Sequence, residues 1–413
     1  MYKKEKIALF GYGRTTKAIA SYLGNGCNFF DDKVESPYKD ELNNTINPTS
    51  NYNPELFDVA IPSPGIFPSS KLITKSKNII SEYDFFLSNK GVAKDKMPFN
   101  IWISGTNGKT TTTQMLTHLL KEKGALSGGN IGTPLGSLNS DAPIWVLETS
   151  SFTLHYTNYA KPNIYLLLPI TPDHLDWHGG KDGYIADKLK PLSLMQDGEL
   201  ALVPKGLPLP KSDAWIVEYR DISDIEKFFK LDASKVKFKG AFGLDAMLAL
   251  AVVKSLFDTV DYSIINSFNI DAHRQEELKD SIGRLWVNDS KATNTDAALE
   301  AIKLYKDKKI HLILGGDDKG VDLRDFFKAL KKYNLYIYAI GSNAQKLQKL
   351  SKEFNIACKR VDFLDKALAE INKAHTLDSV ALLAPAASSL DQFPSYAKRG
   401  NDFKAYISNL SLV

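Results

Sequence analysis

The chain has 413 residues, of which 43% are apolar, 24% charged and 11% aromatic, enough for a large core and too many for one compact domain. Its 52 basic and 48 acidic residues leave a formal net charge of only +4, which excludes a whole-surface nucleic-acid footprint and makes any anion site local. Cys27 and Cys358 lie too far apart in sequence for a disulfide framework or a metal cluster, and they suit a reducing cytosol.

Met1–Lys6 leads into the short run Ile7–Phe10 and then a glycine turn, not a signal-peptide core. No apolar stretch approaches the ~18 residues of a membrane span. A soluble, unexported, cytoplasmic protein is expected. Lys6–Phe10 reads as a buried strand, Gly11-Tyr12-Gly13 as a tight turn, Thr15–Leu23 as a helix and Cys27–Phe30 as a second strand ending at Asp31-Asp32. Phe57–Ile61 makes a third strand. The polar run Lys90–Pro98 has no apolar period and sets the first domain boundary, giving a first domain over 1–92. A second α/β unit, over 93–270, opens with a strand at Asn100–Ile103, turns through Ser104–Gly108 and enters a helix with Met115, Leu116, Leu119 and Leu120 on one face, stopping at Gly124. Strands at Ile144–Leu147 and Ile164–Leu168 follow. A third unit, over 271–413, alternates helices with strands at Leu285–Asn288, Ile310–Leu314, Leu335–Ile340 and Val380–Leu383. The repeated alternation predicts an α/β protein of three parallel layers in series.

Between the second unit's first strand and its helix stands Gly105-Thr106-Asn107-Gly108-Lys109-Thr110-Thr111. Glycines let backbone N–H groups close around phosphate oxygens, and the helix N-terminus adds its positive end. Lys109 can then reach the terminal phosphates and the Thr110 hydroxyl can ligate Mg²⁺. Ile103 stands where the full pattern has its first glycine, and a plain glycine turn before a helix is the bland alternative. Glu148 ends the next strand and Asp173-His174 follows the one after, both at the carboxyl edge where open α/β sheets bind ligands. Glu148 there suits Mg²⁺ and equally suits a turn cap. In Gly11-Tyr12-Gly13-Arg14-Thr15-Thr16 the last residue replaces the closing glycine of a dinucleotide fingerprint, so a nucleotide or sugar-phosphate site stays open. Asp31-Asp32 fits a ribose or a strand cap. Asn288–Asn294 and Gly315–Lys319 are polar strand-end turns whose lysines, Lys291 and Lys319, turn chemistry does not require. Ser388 or Ser389 is placed to cap a helix.

Together with Gly128–Gly132 (GGNIG), Leu147–Phe152 (LETSSF), Asp173–Asp176 (DHLD), His273-Arg274 and Ser389–Phe393 (SLDQF), these runs resemble the Mur ligase family over nearly the whole chain. The resemblance implies a Rossmann-like N-terminal domain holding a UDP moiety, a central P-loop ATPase domain with a parallel sheet, and a C-terminal Rossmann-like α/β domain bringing the amino acid. It points to the member that joins D-glutamate to UDP-N-acetylmuramoyl-L-alanine, and no D-N-P-R run of a diamino-acid-adding member occurs. The implied cofactors are ATP, two Mg²⁺ ions and a carbamylated lysine. Carried over position by position, Gly105 to Thr111, with Arg274 and Asp289, face ATP. Thr110, Glu148, His174 and Lys188 as carbamate hold metal, and Lys109, Lys188, His174 and Glu148 form the catalytic set. Arg14, Thr15, Asp31 or Asp32, Ser63, Asn130 and Ser150 lie on the side of the UDP substrate. Lys291, Thr293, Lys319, Ser389 and Tyr396 form the amino-acid pocket. Tyr396 replaces a common Phe, and Phe242–Ala246 departs from the family's H-N-x-x-N, with Ala246 in place of the amide that reads adenine.

The implied reaction activates a carboxylate by phosphoryl transfer from ATP and closes the third domain over an acyl phosphate. A monomer acting on small molecules is expected, without nucleic acid or membrane. The rivals are another ligase of the superfamily, such as a folylpolyglutamate synthase, and a P-loop ATPase driving a partner. Without the resemblance, Lys188 in Tyr184–Lys190, a stretch ended by Pro191, reads as a solvated surface lysine.

Overall fold

A computed structural model describes residues 2–89, 97–130 and 132–410. The chain divides into two compact units, Met1–Phe268 and Asn269–Val413. The run chosen as the first boundary, 90–98, falls mostly outside the described residues.

The first unit carries two sheets. The first is built from β1 (Ile7–Phe10), β2 (Asn28–Asp31), β3 (Tyr38–Lys39), β4 (Thr45–Pro48) and β5 (Val59–Pro62), in the order β3-β4-β2-β1-β5. The fully buried runs I-A-L-F and V-A-I-P pair in parallel at one end of this sheet, apolar stretches covered on both faces. Strands β3 and β4 escape a pattern reading, since β3 is two exposed residues and β4 carries Asn and Pro.

The second sheet is wholly parallel, in the order β11-β10-β9-β6-β8-β7. Its strands are β6 (Phe99–Ser104), β7 (Ala125–Gly129), β8 (Ile144–Glu148), β9 (Ile164–Leu167), β10 (Leu200–Pro204) and β11 (Trp215–Tyr219). The helix after β6 spans Lys109–Leu119, and a 3₁₀ turn then reaches Gly124, whose φ of +75° supplies the stop. Behind it lies the 18-residue helix Gly240–Phe257, which corrects the reading that no stretch approaches a membrane span, being long and apolar enough by composition to cross one. Its apolarity has another cause, because it packs between the helices Lys109–Leu119 and Ile222–Phe229 and buries residues on all sides. The helix around Lys188 is longer than its sequence predicts, running Lys181–Leu194 with Pro191 inside it. Pro191 deprives the Asp187 carbonyl of its helical donor, but buried Leu189 and Leu192 hold the last turn in the core.

The second unit has one sheet, β12 (Glu276–Lys279), β13 (Leu285–Asn288), β14 (Lys309–Gly315), β15 (Leu335–Ile340), β16 (Cys358–Asp362) and β17 (Ser379–Leu383), ordered β12-β13-β17-β14-β15-β16. The expected parallel layering holds in all three sheets except at two edges, where β3 runs antiparallel to β4 and β12 to β13. No helix starts at Ser388 or Ser389. The chain turns there, and the last helix begins at Tyr396.

Candidate active site

Strand β6 ends at Ser104 and delivers Gly105 with φ +141°, a conformation in which an added Cβ would lie 2.5 Å from the Cβ of Leu168. Only glycine lets the loop pass this close to the end of β9. Gly108, at φ +84°, caps the helix Lys109–Leu119, and a Cβ there would meet the Asp245 carboxylate at 2.7 Å. Lys109 Nζ donates to the carbonyls of Gly105 (3.0 Å) and Thr106 (2.8 Å), arching over the loop it is expected to serve. Thr110 is half-buried in the first helical turn, and the hydroxyl of buried Thr111 has no partner. Thr106 Oγ1 donates to the Thr171 carbonyl at 2.8 Å and lies 2.9 Å from the Tyr184 hydroxyl, fixing the loop to the chain beyond β9.

Pairing in register with β6, strand β8 places Glu148 opposite Ile103. Its carboxylate is buried. Asn130 Nδ2 donates to Oε1 at 2.7 Å, while Oε2 has no partner. A buried carboxylate oxygen left unsatisfied costs on the order of several kcal/mol unless a cation meets it, so the donor set fits a hard ion such as Mg²⁺. His174 begins the short helix Leu175–His178 at φ +51°, about half exposed, with its ring centroid 4.7 Å from that of Phe152.

Lys188 is not the surface lysine its neighbours suggest. It is 1% exposed, and its Nζ donates to the Gly105 carbonyl at 2.8 Å and to Ser104 Oγ at 3.3 Å. Burial first, and then the Lys109 charge, hold its amine well below the usual lysine range. The helix Lys181–Leu194 thus brings an amine whose charged form burial disfavours to the glycine loop.

On the amino-terminal sheet, Gly11 turns at φ +81° against Ser63, whose buried Oγ has no partner. Asp31 accepts from the N–H of Tyr12 (2.6 Å) and of Lys33 (2.9 Å). Burial alone would raise its carboxyl, but these donors and Lys33 hold it below the ordinary range. Asp31 therefore braces the Gly11–Gly13 turn, and Asp32 is exposed beside it. Thr15 lies in the first turn of the helix Arg14–Tyr22. The Arg14 guanidinium donates to the Gly132 carbonyl, joining this helix to the segment that carries Asn130. Ser150 caps the helix Ser151–Tyr156 by accepting from Thr153 N–H at 3.0 Å.

Within the second unit, the loops after β13, β14 and β17 meet at the carboxyl edge. Gly316, at φ +145°, passes so close to the Ser388 carbonyl that a Cβ would lie 2.1 Å from it, and Asp317 and Ser388 exchange backbone hydrogen bonds. Lys319 is exposed at φ +50°, Thr293 is exposed, and Ser389 is buried. Lys291 Nζ donates to the Tyr396 hydroxyl at 3.0 Å and lies over its ring. Burial raises the Asp289 carboxyl to about 7, against the pull of Gln275 N–H and the Arg274 charge, and the buried Nε of Arg274 has no partner.

Sequence reasoning passed over Arg399. It is 1% exposed and donates to Ser290 Oγ (3.0 Å), the Ser290 carbonyl (2.9 Å) and the Ala387 carbonyl (3.2 Å), tying two of these loops together. Its only sequence signal is its place one turn after Tyr396. Ala246, singled out as a lost base contact, is fully buried in the helix Gly240–Phe257 and presents no surface to a ligand.

Residues 103–215 match the Mur ligase middle domain. The chain is 50% identical over 408 residues to the UDP-N-acetylmuramoylalanine--D-glutamate ligase of Campylobacter jejuni subsp. jejuni serotype O:23/36 (strain 81-176), covering 98% of this chain and 100% of that one. It is 46% identical to the protein of the same name in Helicobacter pylori (strain ATCC 700392 / 26695), covering 97% and 99%. Among solved structures, the UDP-N-acetylmuramate-alanine ligase of Thermotoga maritima superposes with a TM-score of 0.55 at 16% identity, covering 97% of this chain and 99% of that one, a likeness of fold.

Proposed function

The chain belongs to the Mur ligase family, and from that premise we propose that it joins D-glutamate to UDP-N-acetylmuramoyl-L-alanine in the cytoplasm, acting as a monomer. It is an ATP-dependent ligase of peptidoglycan precursor synthesis. D-glutamate as the amino acid rests on the names of relatives about half identical over their full length. One observation carries the chemistry: the Gly105–Thr111 loop, the half-satisfied Glu148 carboxylate and the buried Lys188 amine share one sheet edge. We assign the UDP substrate to 1–92, ATP to 93–270 and the amino acid to 271–413.

Condensing a carboxylate with an amine in water is uphill, so the carboxylate must carry a leaving group. The γ-phosphoryl passes from ATP to the substrate carboxylate, giving ADP and an acyl phosphate. The free amine of D-glutamate attacks the acyl carbon, and collapse of the tetrahedral adduct breaks the C–O bond to release phosphate while the nitrogen loses a proton. The protein supplies positioning and fixed charge. Lys109 leaves its loop carbonyls for the terminal phosphates, the glycine loop and helix N-terminus hold the phosphate oxygens, and Arg274 with Asp289 orient the nucleotide. In its neutral form the Lys188 amine adds to CO₂ with loss of a proton, and the resulting carbamate places an anionic oxygen donor where a protonated lysine would carry positive charge. Thr110, Glu148, His174 and that carbamate would hold Mg²⁺, which neutralises phosphate charge when bound. Asn130 orients Glu148 and reaches the acceptor. Arg14, Thr15, Asp31, Asp32, Ser63 and Ser150 serve the nucleotide-sugar side. Lys291 and Lys319 neutralise the carboxylates of D-glutamate, with Thr293, Ser389 and Tyr396 completing that pocket.

The test is phosphate release measured with UDP-N-acetylmuramoyl-L-alanine and a panel of D- and L-amino acids. Release should need both substrates and favour D-glutamate. Release without the acceptor would indicate a motor ATPase, and preference for a folate acceptor or another amino acid would overturn the assignment.

A further inference from the structure

Three helices of the first unit bring side chains able to ligate a metal to one point. His155 lies in the last turn of Ser151–Tyr156, His178 ends Leu175–His178, and Asp187 lies on Lys181–Leu194. His178 Nδ1 is 2.7 Å and His155 Nδ1 2.9 Å from the same Oδ2 of Asp187, and Asp187 Oδ1 is 3.1 Å from His155 Nδ1. The donor atoms all fall within 4.8 Å of one another. None of these residues is among those assigned above to the ligase chemistry.

We propose that His155, His178 and Asp187 bind one divalent transition-metal ion of the Zn²⁺ or Co²⁺ class, which clips the three helices together. Two imidazoles and one carboxylate suit borderline ions, whereas Mg²⁺ prefers an all-oxygen shell, so the site differs in kind from the one around Glu148. With metal–donor bonds of about 2.0–2.2 Å, tetrahedral donors stand about 3.3 Å apart, so the His–Asp187 spacings of 2.7 and 2.9 Å would widen by roughly half an ångström, while the two imidazole donors already lie within 4.8 Å of each other. The outer partner is already in place, since His178 Nε2 lies 3.0 Å from Ser151 Oγ. Donation from that nitrogen fixes the tautomer that leaves Nδ1 for the ion.

Access is one-sided. The His178 side chain is 0% exposed, while those of His155 and Asp187 are 32% and 15% exposed and help line a cavity of about 730 Å³, which offers a route in and room for a water as fourth ligand. Lys190 lines the same cavity, but its ammonium is held by the His155 carbonyl at 2.6 Å and Asn158 Oδ1 at 2.8 Å. Because His174 caps one clipped helix and Lys188 follows Asp187 on another, the ion would fix the relative positions of two catalytic side chains without touching reactants. A cluster held by hydrogen bonds alone predicts the same distances, and metal binding separates the two accounts.

The test titrates Co²⁺ into the full chain with Mg²⁺ in excess and follows the visible d–d absorption. A signal saturating at one equivalent per chain is expected. It should weaken about tenfold or more in His155→Ala and in Asp187→Asn, as loss of a ligand requires, and persist in Glu148→Gln. Zn²⁺ should raise the melting temperature of the wild type and not that of His155→Ala, a change at the most exposed of the three that keeps the test open if Asp187→Asn fails to fold. No saturable signal, a signal that survives His155→Ala, or one abolished by Glu148→Gln would overturn the proposal.

Discussion

Replacing Lys188 by methionine removes a buried amine while nearly conserving volume, and so separates what the side chain does for folding from what it does for turnover. Two hydrogen bonds disappear, to the Gly105 carbonyl and to Ser104 Oγ, each a loss of about 1 kcal/mol. The Gly105 carbonyl still accepts from Lys109. Against this, the helix no longer desolvates an amine, a relief of about 1–3 kcal/mol. The balance lies within about 1 kcal/mol, or a melting shift under about 4 °C for a unit of this size. Turnover should fall about 10²–10³-fold, the scale of losing one preorganised charge partner at the reacting phosphate. Differential scanning calorimetry and phosphate release measure the two quantities on one preparation. Lys188→Ala, which leaves room for a small carboxylate, should regain part of its activity with acetate. CO₂-depleted buffer should slow the wild type and spare Lys188→Met. Turnover of Lys188→Met within about threefold of wild type, or activity lost only in proportion to unfolding, would refute the reasoning.

Lys109→Ala should abolish phosphate release yet leave binding of the UDP substrate nearly unchanged by calorimetry, because Lys109 touches only the phosphate loop among its hydrogen-bond partners described above. Arg399→Lys keeps the charge but not the fork, leaving carbonyls of Ser290 and Ala387 unmet. The KM for D-glutamate should rise at least tenfold with a smaller change for ATP, and the second unit should lose about 1–3 kcal/mol in urea unfolding. His311 and His375, 1% and 5% exposed, are held down to about 4, by burial first and then by neighbouring positive charge. Below their ordinary value near 6.5 the unfolded chain binds protons that the folded one refuses, so stability is lost as pH falls from 6.5 toward 4. The loss is about 2 kcal/mol per histidine by pH 5. Hydrogen exchange in peptides covering β14 and β17, corrected for intrinsic rate, should quicken accordingly between pH 7 and 5, and unchanged protection would contradict it.

The parts of the site legible in sequence are those whose geometry is local. A buried strand, two glycines and a lysine at a helix start leave few conformations open, and the structure gives Gly105 and Gly108 the positive φ angles that pattern requires. Glu148 was readable as a strand-end residue because parallel α/β sheets turn every strand's carboxyl end to one edge. Strands β12 and β16 were not readable. E-E-L-K and C-K-R-V-D carry charge on a sheet edge, where solvent on one side leaves no apolar run to detect.

Buried charge was the other blind spot, and there the chemistry concentrates. A lysine between Lys181 and Lys190 reads as solvated surface, because such residues are rarely buried unless partnered, and the arginine one turn after Tyr396 and the aspartate beside that lysine draw no reading at all. Lys188, Arg399 and Asp187 are nonetheless enclosed or largely so, each by partners distant in sequence: the Gly105 carbonyl, Ser290 with Ala387, and His155. The desolvation that makes such burial rare also holds the Lys188 amine well below the usual lysine range and pushes even Arg399 down to about 10. A side chain kept at that cost is retained for a property that water would erase. At Lys188 the property is an amine whose charge burial disfavours beside the glycine loop, and at Arg399 a fork that fixes two strand-end loops in one register.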